Sequence, residues 1–451
     1  MIARKLNKQI DNHYTNNTSA LLLTGARQTG KTFAIRKYAE RQNYKLVEIN
    51  FLQDPSAAAI FDSAKNAKEV LLRLSAYTQT ELVPHNTLIF FDEIQKVPEV
   101  VTWIKFLVDE GSYKYALSGS LLGVELKNIR SVPVGYLTIK EVFPLDLEEF
   151  SCAVGISNEI IAHIRNAYEA GTPVDAIIHE TMMKIISLYL LVGGMPAVVQ
   201  SYIDTNNMQV VQSKQREILE LYKWDISQYD PANKLYINDI FDLIPSELDA
   251  KNKRFVLKNL NEHSRFSRYE NGFVWLQNAG VTLPTYNVEA PIFPLKLEEQ
   301  RNLFKLFSND VGLLAVQYAH GTAIKILNGE TNINFGAIYE NLVAQELKTH
   351  GYELYYYNSK KQGEVDFLLE DNASIIPLEV KSGKDYDRHR ALNNIMDYDP
   401  YHLSKAIILT CNNVKKDSKL HYLPIYMIMF IEKCRDTNDQ IYTLDIPIIN
   451  L

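Results

Sequence analysis

The chain has few cysteines and no apolar leader. Its 451 residues contain three cysteines, Cys152, Cys411 and Cys434, with no paired spacing. This pattern excludes a disulfide framework, gives no zinc signature and fits a reducing compartment. The N-terminal stretch is basic but has no apolar core behind it, so it does not have the pattern of a signal peptide. We therefore expect a cytoplasmic protein.

Long apolar runs, excess positive charge and internal repeats are also missing. The longest apolar stretches are 186–200, which a Gly-Gly-Met-Pro turn interrupts, and 423–431, which is too short to cross a bilayer. We therefore expect no membrane partner. A net charge of −7 argues against a protein that coats nucleic acid by bulk charge, but leaves room for a local basic groove. Length alone predicts about three domains.

The clearest motif begins after the apolar strand 21–23. It has the phosphate-binding P-loop pattern, with Gly25 and Gly30 as its glycines and a helix following directly. The expected nucleotide-binding residues run without a gap: Gly25, Ala26, Arg27, Gln28, Thr29, Gly30, Lys31, Thr32 and Phe33. Lys31 should reach the β- and γ-phosphates of ATP, and the Thr32 hydroxyl should bind Mg²⁺. The alternative is a glycine-rich turn before a surface helix.

Two further strands end in polar residues that suit nucleotide chemistry. The apolar run 88–91 ends in Asp92 and Glu93. Strands of a parallel sheet have this apolar pattern, and their carboxyl ends border the ligand crevice. Asp92 should hold Mg²⁺ and Glu93 should act as the base that polarises the attacking water. Ser118, at the end of the next strand, either senses the γ-phosphate or caps a turn.

These segments resemble a known family. The strings GARQTGKT, FFDEIQKVPEVVTWIKFLVDEG, ALSGSLLG and FPLDLEEF resemble a prokaryotic family of AAA-like ATPases. Members of that family carry a C-terminal domain of unknown function that is similar to a restriction-type nuclease. The resemblance implies an α/β P-loop NTPase domain with a parallel sheet. The family usually has a Gly-Arg pair where this chain has Gly135-Tyr136, which puts the hydrolysis rate in doubt unless Arg130 substitutes.

The middle of the chain has helical patterns followed by extended segments. Amphipathic patterns at 158–170 and 174–191 predict a helical lid beside the nucleotide. Three short helices and a β-ribbon, between residues 236 and 307, predict a winged-helix-like region. A basic cluster could there meet DNA phosphates, or could be a solvated face of an adaptor domain. Its members are Lys251, Lys253, Arg254, Lys258, Arg265 and Arg268.

The C-terminal part predicts an αβββαβ order, which is the core of the PD-(D/E)XK nuclease fold. Asp366 falls within the second predicted strand, and Glu379 and Lys381 project from one face of the third. Glu340 lies on the first helix. The segments IYENLVAQEL, EVDFLLE and IPLEVKSGK resemble the nuclease-like domain of the same family.

That combination suits metal-dependent cleavage of nucleic acid. Asp366 and Glu379 offer carboxylates for Mg²⁺, while Lys381 could stabilise the attacking hydroxide. Glu340 could hold a metal-bound water, and Lys384 lies just beyond the set. The alternative is a cross-strand ion pair on a solvated face. Residues of a nuclease fold can also serve binding alone.

The sequence therefore predicts three domains: residues 1–150 an AAA-like P-loop ATPase domain, 151–330 a helical lid and winged-helix-like region, and 331–451 a PD-(D/E)XK nuclease-like domain. The expected function is an Mg²⁺-dependent, ATP-hydrolysing switch that controls the nuclease-like domain, with DNA, RNA or proteins as further partners. The first alternative is a non-hydrolysing scaffold or DNA-binding adaptor. The second alternative is a kinase. Glu93 argues against it, because this carboxylate suits the activation of water better than that of a substrate hydroxyl.

Overall fold

The chain folds around two β-sheets, one N-terminal and one C-terminal. The computed structural model describes residues 2–119, 135–229, 234–250, 252–260, 266–318, 325, 336–383 and 386–433. The strands are β1 Ala20–Thr24, β2 Lys45–Asn50, β3 Thr87–Asp92, β4 Lys114–Ser118, β5 Leu137–Glu141, β6 Thr282–Val288, β7 Glu299–Ser308, β8 Tyr355–Ser359, β9 Gly363–Asp371, β10 Ser374–Lys381, β11 Ala406–Thr410, β12 Lys415–Asp417 and β13 Leu420–Pro424.

The α-helices of the described residues are numbered in chain order. They are α1 Lys5–Asn16, α2 Lys31–Arg41, α3 Ala67–Thr78, α4 Glu99–Glu110, α5 Leu147–Ala153, α6 Asn158–Ala170, α7 Ala176–Val192, α8 Pro196–Thr205, α9 Met208–Tyr229, α10 Lys234–Asp249, α11 Phe266–Asn278, α12 Val311–Ala315, α13 Gly336–Thr349 and α14 Arg390–Met396. Short 3₁₀ helices occupy Pro55–Ile60, Ile94–Lys96, Leu257–Asn259, Leu295–Leu297, Asp399–Tyr401 and Ile425–Phe430.

The N-terminal sheet is parallel, in the order β2-β3-β4-β1-β5. Every residue of β3 is buried, because helices cover both faces of the sheet and its apolar side chains pack on both sides. Since all five strands run in the same direction, their carboxyl ends meet at one edge. The α/β fold with a parallel sheet is confirmed, and that edge brings the P-loop after β1 together with the acidic pair at the end of β3.

The helices that follow pack into one core with the C-terminal sheet. The lid helices, α6 to α8, and helices α9 to α11 share a continuous set of buried apolar residues with α13 and one face of the second sheet. Of the three short helices predicted for the winged-helix-like region, the first and third are longer than expected. The second, expected at 255–260, is only the 3₁₀ turn Leu257–Asn259.

The β-ribbon of the middle region belongs to the C-terminal sheet. Strands β6 and β7 form an antiparallel hairpin, and β6 also pairs in parallel with β8. The second sheet therefore has the order β12-β13-β11-β10-β9-β8-β6-β7 and crosses the boundary predicted at residue 330. Because the hairpin is a continuation of another sheet, it is not a free wing, and the winged-helix prediction is not confirmed.

The C-terminal part has the predicted order of elements. Helix α13 is followed by β8, β9 and β10, then by α14 and β11. Strands β9 and β10 are antiparallel, whereas β10 and β11 are parallel, so β10 lies in the middle of a mixed sheet. The αβββαβ succession is thus present, and its polar residues lie where β9, β10 and α13 meet.

The length and hydropathy of the helices bear on whether any of them could cross a membrane. Within the described ranges, no single helix is long and apolar enough to cross a membrane. Helices α7 and α8 satisfy a criterion of length and composition only as a pair, and they are bent by 118° relative to each other.

Candidate functional site

The P-loop has a backbone that requires glycine at its first position. Gly25 has φ = 113°, and a Cβ atom there would lie 2.4 Å from the carbonyl oxygen of Val142. Gly30, which precedes α2, has φ = 93°. A left-handed conformation at both ends of the loop turns its N–H groups inward, as phosphate binding requires. Helix α2 starts directly after the loop, so its N-terminus adds a positive dipole end.

Lys31 is buried and folded back onto its own loop. Its Nζ donates hydrogen bonds to the carbonyl oxygens of Gly25, at 2.8 Å, and Ala26, at 2.7 Å. Burial lowers the pKa of Lys31 to about 8, while the carboxylates of Glu93 and Asp92 act in the opposite direction. A phosphate entering the loop would give this ammonium a stronger acceptor than two carbonyl groups.

This pKa gives a prediction for ATP binding. Below pH 8 Lys31 is charged in the free protein, and ATP affinity should be constant. Above pH 8 the free protein must take up a proton to bind ATP, so the dissociation constant should rise by up to about tenfold per pH unit. The terminal phosphate does not contribute, since its pKa is about 6. Calorimetric titration from pH 7 to about 10 checks this prediction.

The matched control for the pH series is Lys8→Ala, which removes an exposed lysine of α1. That variant should keep the wild-type profile. An ATP dissociation constant that is flat up to about pH 10 would contradict the assignment of Lys31.

Asp92 is the centre of a hydrogen-bonded set at the edge of the parallel sheet. Its Oδ2 accepts from Thr32 Oγ1 at 3.1 Å and from Asn50 Nδ2 at 3.0 Å. Its Oδ1 accepts from the Ser118 hydroxyl. Burial raises the pKa of Asp92, and the Ser118 hydrogen bond opposes that rise. Ser118 thus has a role that was not predicted, which is to orient the Asp92 carboxylate.

The donor set around Asp92 fits a magnesium ion. A hydroxyl from the P-loop and a buried carboxylate from β3 stand in direct contact, and both are hard oxygen ligands. Thr32 and Asp92 are therefore the residues that would hold the ion, as predicted from the sequence.

Glu93 has an unusual backbone. It has φ = 56° and ψ = 43°, a left-handed conformation that is uncommon for a residue with a side chain and is concentrated at functional sites. Its N–H donates to Asp92 Oδ1 at 3.1 Å, and its Oε2 accepts from the Gln95 side chain. The Glu93 side chain is only partly buried, so water can reach it.

Several residues that hold the P-loop were not predicted. Arg4 donates to the Thr29 carbonyl oxygen at 3.3 Å and pairs with Glu149 at 3.0 Å. Arg27, expected to bind nucleotide, pairs through its side chain with Asp225 of α9 at 2.8 Å. Burial raises the pKa of Asp225 to about 6, and Arg27 partly offsets that rise. No local pattern marks Asp225 as a partner, because the pair joins distant parts of the chain.

A largely apolar cleft opens beside the P-loop. It has a volume of about 680 Å³ and lies between the N-terminal segment, α2 and the start of α8. Its lining includes Ile2, Gly30, Phe33, Pro196 and Ala197. The Phe33 side chain is 56% exposed at this cleft, although it is aromatic. Gly30 and Phe33 were both expected to bind nucleotide, whereas Ile2, Pro196 and Ala197 were not predicted.

Tyr136 lies at the opposite end of the sheet from the P-loop. It directly precedes β5, which runs parallel to β1 with Ala20 opposite Leu137 and Thr24 opposite Glu141. Five residues of strand separate the two ends, a distance of about 16 Å. The side chain at position 136 is therefore too far away to act on the P-loop of its own chain. Arg130, the suggested substitute, lies outside the described residues.

The four residues predicted for the C-terminal site do come together. Asp366 Oδ2 accepts from the N–H of Val380, and Lys381 Nζ donates to Glu379 Oε1 at 2.7 Å. Burial and the charge of Asp366 raise the pKa of Glu379 to about 8. Glu340 is buried beside them on α13. The predicted juxtaposition of these side chains is therefore present.

Two lysines that were not assigned to this site also reach it. Lys305 of β7 lies 2.7 Å from Glu364, 3.5 Å from Glu340 and 4.0 Å from Asp366, and Lys253 pairs with Glu340. Lys253 was placed in a basic cluster that either meets DNA phosphates or is a solvated face, but its ammonium group pairs with the buried Glu340. Lys251, Arg265 and Lys384 lie outside the described residues, as does the side chain of Arg268. In the described part of the chain, no group of three or more His, Cys, Asp or Glu side chains is arranged to hold a metal ion.

Three family models match successive parts of the chain. Residues 17–151 match a model described as an AAA domain. Residues 183–322 and 335–428 match two models that are each described as a domain of unknown function, DUF8612 and DUF4143. The curated proteins include no match.

The solved structures that match this chain include two from archaea. A Walker-type ATPase of Pyrococcus abyssi is 12% identical over 70% of this chain and 96% of that one, with a TM-score of 0.39. Cdc6p of Pyrobaculum aerophilum is 12% identical over 72% of this chain and 94% of that one, with a TM-score of 0.26. The match to the AAA model agrees with the contact between the P-loop and Asp92. Residues 17–151 are therefore an AAA-like P-loop ATPase domain.

Proposed function

We propose that the protein binds and hydrolyses ATP with Mg²⁺ and acts as a switch on its nuclease-like C-terminal domain. The observation that carries this proposal is the contact between Thr32 of the P-loop and Asp92 at the end of β3, with Glu93 next to it. This contact places a phosphate-binding loop, a set of magnesium ligands and a candidate base at one edge of the parallel sheet.

Each residue has a distinct part in hydrolysis. Lys31 exchanges its loop carbonyls for the β- and γ-phosphates. Mg²⁺, held by Thr32 and Asp92, supplies positive charge to the phosphates when bound. Glu93 accepts a proton from the attacking water, and its Gln95 hydrogen bond fixes its orientation. Ser118 holds Asp92 in place.

The apolar cleft suits the nucleotide base. The exposed Phe33 ring and the apolar walls from the N-terminal segment and α8 offer flat surfaces for a purine. Because Pro196 and Ala197 begin α8, a base bound there contacts the lid helices as well as the P-loop domain. Nucleotide binding would thus order the lid against the first domain, and hydrolysis would release it.

A chain of contacts joins the lid to the C-terminal domain. Asp310, at the N-terminus of α12, is fully buried, and its carboxylate accepts from the N–H of Gly194 at 2.6 Å and of Leu313 at 2.9 Å. Gly194 lies in the turn between α7 and α8. The next residue, Val311, donates to Gln345 of α13 at 2.9 Å. Asp310 therefore links the turn beside the nucleotide to the helix that carries Glu340.

Asp310→Asn should uncouple the two parts. The two N–H groups donate to different carboxylate oxygens, and the amide NH₂ of asparagine cannot replace one of these oxygens as an acceptor. One N–H group therefore loses its partner, and the free energy of unfolding should fall by about 1–3 kcal/mol. ATP affinity should stay within about twofold of wild type, because the P-loop contacts remain. In wild type, an ATP analogue should slow amide hydrogen exchange in α13, and this protection should be lost in the variant. Exchange mass spectrometry measures it.

Asp204→Asn, an exposed change on α8, is the matched control and should keep the response of α13. If Asp310→Asn keeps full ATP-dependent protection of α13, the coupling route through Asp310 is wrong. If wild type shows no response of α13 at all, the switch proposal is wrong, although ATP hydrolysis stands.

A second candidate function is a nucleotide-dependent adaptor whose nuclease-like domain does not cut. The positions of Lys253 and Lys305 among the C-terminal carboxylates favour it. Phosphate release with and without DNA separates the two candidates: turnover far below about 0.01 per second would favour the adaptor. DNA, RNA or a protein then remains as the partner that the adaptor binds.

A further inference from the structure

The Lys–Glu cluster of the C-terminal domain consists of four carboxylates and three lysines. Its members are Glu340, Glu364, Asp366, Glu379, Lys253, Lys305 and Lys381. The carboxylates come from α13, β9 and β10, whereas Lys253 and Lys305 come from the middle region. Lys305 is fully buried, with its Nζ between three of the carboxylates. A buried lysine requires such partners, because an unpaired buried charge is costly.

The three lysines offset most of the negative charge of the cluster. With every group ionised, four carboxylates and three ammonium groups leave a net charge of −1, from 3 − 4. A divalent cation would turn that into +1, and nothing in the cluster compensates such an excess. The charge that a metal would otherwise supply is therefore present as protein cations, two of which contact Glu340.

Most of the carboxylate oxygens are also engaged. Asp366 Oδ2 accepts from the Val380 N–H, and Glu379 Oε1 accepts from Lys381. Glu340 Oε1 pairs with Lys253. Within the described residues, two buried carboxylate oxygens of the cluster have no hydrogen-bond partner, Glu340 Oε2 and Glu379 Oε2, and the first lies 3.5 Å from the Lys305 ammonium. The other, Glu379 Oε2, does not by itself make a magnesium site, since Mg²⁺ requires near-octahedral oxygen coordination and commonly binds one or two carboxylates together with waters or phosphates.

We infer that Lys305, together with Lys253, takes the place of the divalent cation in the C-terminal domain. The domain keeps the nuclease-type set of residues as an internally neutralised polar core, which binds no divalent cation and does not cleave nucleic acid. The same lysines join β7 and the segment between α10 and α11 to α13 and β9. This inference does not depend on ATP hydrolysis.

Terbium luminescence can test this, since Tyr356 is a built-in sensitiser: its ring centroid is 5.0 Å from Lys305 Nζ. Nucleotide-free wild type and Asp366→Asn should give equal emission with Tb³⁺. The double variant Lys253→Met/Lys305→Met, with flexible apolar side chains of similar length, should gain at least about fivefold emission, as carboxylates without counter-ions bind a cation. Adding Glu379→Gln should remove that gain.

Two results would overturn the inference. One is strong Tb³⁺ emission from wild type that Asp366→Asn or Glu379→Gln abolishes. The other is a folded double-lysine variant that gains no emission. If the double variant does not fold, the comparison of wild type with Asp366→Asn and Glu379→Gln decides alone, because equal emission supports the inference and lost emission refutes it. Metal-dependent cleavage by wild type that Asp366→Ala abolishes would likewise refute it.

Discussion

Lys31→Ala should lower ATP turnover by at least about a hundredfold, the usual cost of removing a preorganised charge that stabilises the transition state. The ammonium group is the cation that the P-loop itself provides to the β- and γ-phosphates. Without phosphate its contacts are only two carbonyl oxygens of its own loop, so its removal should spare the fold. Steady-state phosphate release measures the turnover, and ATP titration shows whether binding is lost as well.

Lys8→Ala is the control for this measurement, as for the pH series, because it removes an exposed lysine of α1 that lies outside the lining of the apolar cleft. It should hydrolyse ATP at the wild-type rate. Thermal unfolding of both variants separates a loss of activity from a loss of folded protein. If Lys31→Ala hydrolyses ATP as fast as Lys8→Ala, the assignment of the nucleotide site is wrong.

Glu93→Gln should separate binding from hydrolysis. Glutamine keeps the size of the side chain and can still accept the hydrogen bond from Gln95, but it cannot take a proton from water. ATP affinity should be retained, whereas turnover should fall by about a hundred- to ten-thousandfold, which is the usual contribution of a general base. A single-turnover assay compared with an ATP-binding titration measures both quantities on one protein preparation.

The control is Glu99→Gln, an exposed carboxylate in the first turn of α4. It changes net charge by the same amount near the same strand end and should leave turnover unchanged. Equal turnover in the two variants would exclude Glu93 as the base and would point to a water held by other groups around Asp92.

The sequence alone predicted the parts of the site that are local. Gly25 to Thr32 is one continuous motif, and the run that ends in Asp92-Glu93 has the composition of a strand buried on both faces. The spacing of Glu379 and Lys381 on one strand likewise follows from the period of two in β-structure. In each case the physical cause lies within a few neighbouring residues, so the feature can be predicted from the sequence.

The remainder of the site depends on contacts between distant segments. Lys253 and Glu340 are 87 residues apart, and nothing near either one indicates the other. In β7, Lys305 alternates with the buried Phe304 and Leu306, which would ordinarily place it on a solvated face. It is buried because β6 pairs with β8 and brings β7 over α13. Such pairing is a property of the assembled sheet.

The shared sheet also limits how the protein can be divided or recombined. Strand β8 finds its neighbour β6 in the middle region, and Glu340 and Glu364 find their counter-ions there. A fragment that starts at residue 331 would have an open strand edge and uncompensated buried charge. The two parts are thus expected to be inherited and exchanged as one unit.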